Sequence, residues 1–153
     1  MKVSCPSFEL DHTTLEPGLY LRETRRVGLS KLRIWDLRFI HPTGNPNKVH
    51  KPLSSAVMHS IEHIMALKLR EVLGPKYIGF YTYGCKTGFA LVTKNIPIEK
   101  IRLALIEVIE HSVPLCSSKE IPCLTYKECG NPKLFAVQAT TTALHNYLRV
   151  LQK

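Results

Sequence analysis

The chain has 153 residues, 44% hydrophobic and 22% charged, which suits one compact globular domain and excludes a multidomain machine or a disordered polymer. A formal net charge of +9 raises nucleic acid as a partner. Yet the basic residues are scattered, with Arg25-Arg26 the only adjacent pair, and no aromatic RNA-stacking motif or recognition-helix signature accompanies them, so a solvated basic surface is expected and no nucleic acid. No apolar run has signal-peptide or bilayer-spanning length, so a cytoplasmic protein without membrane contact is expected. Cys5, Cys85, Cys116, Cys123 and Cys129 are odd in number and form no repeating framework, which favours reduced thiols over a disulfide scaffold.

In chain order, Ser7 to Thr14 reads as an extended arm ending near the turn signal Pro17-Gly18. Leu19 to Val27 and Leu32 to Ile40 read as strands joined by a Gly28 to Lys31 hairpin, with Leu32 and Ile34 set against Trp35, Leu37 and Phe39. His41 to Pro52 is a loop rich in Pro, Asn and His, and Ser54 or Ser55 is a suitable N-cap for a helix from Ala56 to Leu73. Gly74-Pro75 ends that helix. Tyr77 to Tyr83 and Phe89 to Thr93 read as strands flanking Gly84-Cys85-Lys86-Thr87-Gly88. A second helix covers Ile98 to Ile109, with Ile101, Leu105 and Ile109 on one stripe. Val113 to Pro122 reads as a loop, and Leu134 to Leu151 as a third helix weakened by Thr140-Thr141-Thr142. There is no internal repeat or linker, so one domain over residues 1–153 is expected.

Chemistry concentrates in His59-Ser60-Ile61-Glu62-His63. On a helix, His59 and His63 stand one turn apart on one face, with Glu62 beside both. This is the H-x-x-E-H order in which two histidines hold a metal and the glutamate moves a proton. A catalytic metal needs a third ligand, which Cys129 or, equally on spacing, Cys123 supplies; two imidazoles and a thiolate leave a coordination position open. Cys85, held between two glycines, is an accessible thiol that loses its proton readily beside a cation.

Six blocks then carry a resemblance: Ser7-Phe8 with Leu10-Asp11-His12-Thr13, Pro17-Gly18-Leu19-Tyr20, Asp36-Leu37-Arg38-Phe39, His59 to His63, Gly84-Cys85-Lys86-Thr87-Gly88-Phe89 and Glu128-Cys129-Gly130-Asn131. In order and spacing they resemble the S-ribosylhomocysteine lyase, or LuxS, family over nearly the whole chain. The resemblance implies an α+β two-layer sandwich, an antiparallel sheet packed against helices, in a homodimer with active sites at the subunit interface. It implies one divalent metal per subunit, Fe(II) or Zn, on His59, His63 and Cys129. It assigns Cys85 and Glu62 to acid/base catalysis and Ser7, His12 and Arg38 to substrate binding, with no organic cofactor. The implied reaction cleaves S-ribosylhomocysteine to homocysteine and 4,5-dihydroxy-2,3-pentanedione, the precursor of the signalling molecule autoinducer-2. The carbonyl must migrate along the sugar until it lies beta to the sulfur-bearing carbon, after which elimination expels the thiolate.

The chain has its own residues around the cysteine. Tyr81-Thr82-Tyr83-Gly84 stands where the family commonly reads Ser-Pro-Met-Gly, Gly79 replaces an acidic residue, Lys86 an Arg or Gln, and Ala90 a Tyr. Ile40-His41-Pro42-Thr43 follows Arg38-Phe39 in place of the usual Gln-Pro-Asn. These positions surround substrate rather than metal, so a related sugar thioether is the alternative substrate. Two further alternatives are an inverzincin-type metallopeptidase, disfavoured by chain length and by Cys129, and a protein whose zinc site only holds the fold.

Overall fold

In a computed structural model of the chain, residues 9–42, 51–117 and 121–153 are described, side chains of 115–117 excepted. Among the described residues, four strands and three helices follow in the order β1 (Gly18–Val27), β2 (Ser30–Arg38), α1 (Ser55–Leu73), β3 (Tyr77–Thr82), β4 (Gly88–Lys94), α2 (Ile98–Ser117) and α3 (Val137–Leu151). The strands form one antiparallel sheet in the order β1-β2-β4-β3. α1 lies against β3, α3 reaches β1, and α2 packs on both other helices. The result is the expected α+β arrangement, a sheet layer on a helical layer.

The first hairpin closes more tightly than expected, through Gly28 and Leu29 alone, with Val27 opposite Ser30. Gly28 sits at φ 57, a left-handed conformation that suits a two-residue turn between twisted strands. A β-bulge between Leu21 and Glu23 frees Arg22 from the ladder and turns its side chain to Asp36, as bulges re-aim side chains. Trp35, Leu37, Phe89 and Leu91 share the sheet face that meets the helices. They join Ile61, Met65, Leu69, Ile101, Leu105, Ile109 and Leu144 in the core.

α1 begins where the chain chemistry predicts: Ser54 is the N-cap, its Oγ accepting the Val57 N–H at 3.2 Å. It ends at Gly74, φ 52, followed by a 3-10 turn, Gly74–Lys76.

Three expectations are corrected. α2 runs on to Ser117 through Pro114, where a loop from Val113 was expected. Proline removes one N–H from the ladder, and burial of Val108, Ile109 and Ser112 against the core outweighs that loss. α3 starts at Val137 rather than Leu134 because the preceding backbone is bonded elsewhere: the Leu134 carbonyl accepts from His59 and the Ala136 N–H donates to Ser60 Oγ at 3.1 Å. The described part of the N-terminal arm is a turn, in which Asp11 Oδ1 accepts the Thr13 N–H at 2.9 Å and the Asp11 carbonyl the Thr14 N–H at 3.3 Å. Ser7 and residues 43–50 of the expected loop lie outside the described residues. Among the described residues no helix is long and apolar enough to cross a membrane.

A candidate metal centre beside an activated cysteine

Helical spacing puts His59 and His63 on the same side of α1, and their rings meet edge to face with centroids 4.5 Å apart. Each ring is oriented by a backbone carbonyl: His59 Nδ1 lies 2.6 Å from the Leu134 oxygen, His63 Nδ1 3.0 Å from the Pro122 oxygen. A carbonyl only accepts, so both Nδ1 atoms carry the proton and both Nε2 atoms present lone pairs. Those two Nε2 atoms are 3.2 Å apart, and Cys129 Sγ is 3.3 Å from that of His59. Facing lone pairs repel unless a cation lies between them, so this donor set fits a metal ion.

Cys129 is delivered by a tight turn in which its N–H and that of Glu128 both donate to the Thr125 carbonyl, at 2.9 and 3.1 Å. The Asn131 N–H donates to its sulfur at 3.3 Å. The ligand atoms of His59, His63 and Cys129 all lie within 4.8 Å of one another. They border a cleft of about 430 Å³ whose walls include Glu62, Arg70, Glu128 and Cys123. Cys123, equal to Cys129 on spacing, is exposed and lies on the wall of the cleft rather than in this donor group. Glu62, one residue before His63, lines both this cleft and a neighbouring one of about 210 Å³.

Cys85 stands in the loop between β3 and β4, beside the smaller cleft. The loop is pinned by the Lys86 N–H to the Tyr83 carbonyl, 2.9 Å, and by the Leu53 N–H to the Lys86 carbonyl, 2.9 Å. Lys86 takes φ 58 and directs its ammonium to Ser55 Oγ at 2.9 Å. Burial pushes the Cys85 thiol pKa up, but hydrogen bonds from Thr87 and the Arg38 charge outweigh it, and the net value is lowered. The Thr87 hydroxyl is 3.0 Å and Arg38 Nη1 3.8 Å from the sulfur.

Arg38 is 3% exposed. It is held by Asp36 Oδ2 at 2.8 Å and by Thr87 Oγ1 at 2.5 Å. His12 is on the N-terminal turn, its Nδ1 3.0 Å from the Leu10 oxygen, and lines neither cleft. Sequence reasoning missed Asp36, Tyr83 and Thr87 as parts of the cysteine's surroundings. Thr87 and Asp36 stand within the six blocks, and their burial at 1% and 0% exposure is a tertiary fact that spacing does not carry.

The fold and the three-donor cluster define a small α+β protein built around a candidate metal centre with an activated cysteine nearby. Comparison with known proteins narrows this. Residues 5–153 match the family model for S-ribosylhomocysteinase (LuxS), and the chain belongs to that family of carbon–sulfur lyases. Among its relatives, the S-ribosylhomocysteine lyase of Enterococcus faecalis is 33% identical over 138 residues, 86% of this chain and 84% of that protein. The corresponding lyase of Bifidobacterium longum is 37% identical over 130 residues, 82% and 74% of the two chains. That of Borreliella afzelii is 32% identical over 153 residues, 95% and 90%.

Proposed function

We propose that this chain cleaves S-ribosyl-L-homocysteine to L-homocysteine and 4,5-dihydroxy-2,3-pentanedione, as a cytoplasmic homodimer of single-domain subunits with active sites at the subunit interface. The observation that carries the reading is the convergence of His59, His63 and Cys129 on one point beside Glu62, with a thiol of lowered pKa in the adjoining loop. His59, His63 and Cys129 hold one divalent ion per subunit, Fe(II) or Zn. When bound, that ion supplies Lewis acidity toward the carbonyl and hydroxyl oxygens of the sugar.

Cys85, as thiolate, takes a carbon-bound proton from the open-chain sugar and returns it to the adjacent carbon, moving the carbonyl one position. Glu62 works from the opposite face, carrying protons to and from the substrate's oxygens. Repetition of this exchange brings the ketone to the position beta to the sulfur-bearing carbon. A last proton removal then expels homocysteine thiolate and leaves the carbon–carbon double bond that tautomerises to the dione. Ser7, His12 and Arg38 bind the substrate, Arg38 from its place beside Cys85. The departures at Tyr83 and Lys86 line the smaller cleft, which keeps a related ribosyl thioether as the second substrate reading.

Thiol release from S-ribosylhomocysteine by anaerobically purified, Fe(II)- or Zn-loaded protein tests the proposal. Cys85→Ala is expected to keep metal and dimer, read by elemental analysis and sedimentation, and to lose at least about 10²-fold in turnover, the scale of one acid/base group. His59→Ala is expected to lose metal as well. Full activity in Cys85→Ala removes that residue from the mechanism. A folded, metal-loaded protein that releases no thiol moves the substrate to a related thioether.

A further inference from the structure

β1 and β2 bring two guanidinium groups to one carboxylate. Arg22, turned by the bulge, and Arg38 both bond Asp36 Oδ2, and their side chains are 7% and 3% exposed, that of Asp36 fully buried. Among the described residues, two cations and one anion leave one positive charge in a nearly water-free place, where an uncompensated charge is costly. Cys85 Sγ, 3.8 Å from Arg38 Nη1, supplies the missing negative charge when it ionises.

Tyr83 closes this cluster from the end of β3. Its ring lies over the Arg38 guanidinium at 5.0 Å, and its phenol interacts electrostatically with the Arg22 guanidinium. Its backbone is fixed on both sides, by its own N–H to the Gly88 carbonyl at 3.1 Å and by the Lys86 N–H to its carbonyl at 2.9 Å. Burial pushes its phenol pKa up, so it remains neutral and does not compete with the thiolate as counter-ion.

We propose that Tyr83 is a positioning residue for the acid/base cysteine, clamping Arg22 and Arg38 behind Cys85 so that the thiolate completes the charge of the buried cluster. This role rests on the lyase reading for its purpose but not for its test. The groups around Cys85 are Arg38 from β2, Thr87 and Lys86 in its own loop, and Tyr83 with Arg22 of β1 behind it. Glu62 and His59 of α1 line the same cleft as Tyr83.

The experiment is the pH dependence of alkylation by iodoacetamide in the metal-loaded full chain, read at Cys85 by peptide mass spectrometry so that Cys123 and Cys129 are counted apart. Tyr83→Leu removes both the ring and the phenol, and is expected to raise the Cys85 midpoint by about one pH unit, roughly tenfold less thiolate below both midpoints. Opening the site to water would by itself lower the midpoint, so an upward shift separates the clamp from simple loss of cover. Tyr83→Phe keeps the ring over Arg38 and loses only the Arg22 contact, with an expected rise of about half a unit. An unchanged or lowered midpoint in both variants overturns the role. Should Tyr83→Leu fail to fold, Tyr83→Phe decides alone: a rise supports the clamp and an unchanged midpoint overturns it. The thiol is read chemically, so the role of Tyr83 is tested even in a chain that proves inactive on S-ribosylhomocysteine.

Discussion

Each reactive side chain owes its state to one or two neighbours. His59 and His63 present Nε2 because Leu134 and Pro122 occupy Nδ1, and Cys85 ionises early because Thr87 and Arg38 outweigh its burial. Thr87 bonds the sulfur at 3.0 Å and Arg38 at 2.5 Å while almost wholly buried. Thr87→Val keeps the shape and deletes those bonds. Removal of hydrogen bonds to the ionised form raises a thiol pKa. The Cys85 alkylation midpoint is therefore expected to move up by about one unit, and turnover at a pH below it to fall about tenfold. A midpoint that stays in place assigns the lowered pKa to Arg38 and the Thr87 backbone, which valine keeps.

The elements decide how close those side chains come. α1 is long, capped at Ser54 and stopped at Gly74, so the His59 and His63 pair lies well inside a rigid segment. The loop holding Cys85 depends on a close strand contact at Gly88, which pairs with Arg38. A Cβ at Gly88 would meet the Leu37 carbonyl oxygen at 2.4 Å and the Arg38 Cα at 3.2 Å. Gly88→Ala must push β4 from β2 where Arg38 and Cys85 meet. A cost of about 1–3 kcal/mol is expected, the usual scale of overpacking. A lower thermal midpoint and a raised Cys85 alkylation midpoint are the paired readouts, and wild-type values for both would refute the close-contact account.

At the scale of the molecule, the aromatic stack joins the sheet to the helices. Phe89, fully buried, meets Phe39 edge-on at 4.9 Å and Phe80 nearly parallel at 5.1 Å. Phe39 in turn stacks on Tyr147 of α3 at 4.0 Å, whose hydroxyl donates to the Gly18 carbonyl at 3.1 Å. Phe89→Ala is expected to cost about 3–5 kcal/mol, lowering the urea midpoint with little change in slope. The donor group sits on α1 and the segment before α3, not on β4, so the fraction that remains folded should bind metal as the wild type does. Loss of metal affinity in that fraction would show that the sheet holds the donors in place.

The sequence by itself determined the elements whose signals are local. The H-x-x-E-H spacing put two imidazoles and a carboxylate together because a helix repeats every 3.6 residues, and the Ser54-Ser55 pair, Gly74 and Gly28 marked ends and turns through their backbone chemistry. The six blocks carried the family resemblance, and the family model matches residues 5–153. Spacing left Cys129 and Cys123 equal and only the family resemblance pointed to Cys129; the tertiary structure brings Cys129 to the histidines through a turn 70 residues from His59. The same holds for the late start of α3, whose backbone is captured by α1, and for the passage of α2 through Pro114, where packing outweighs propensity. The charge cluster of Arg22, Asp36, Arg38, Tyr83 and Cys85 also needed the fold. Its members come from two strands and a loop, and burial, which makes their charges matter, is a property of the packed molecule.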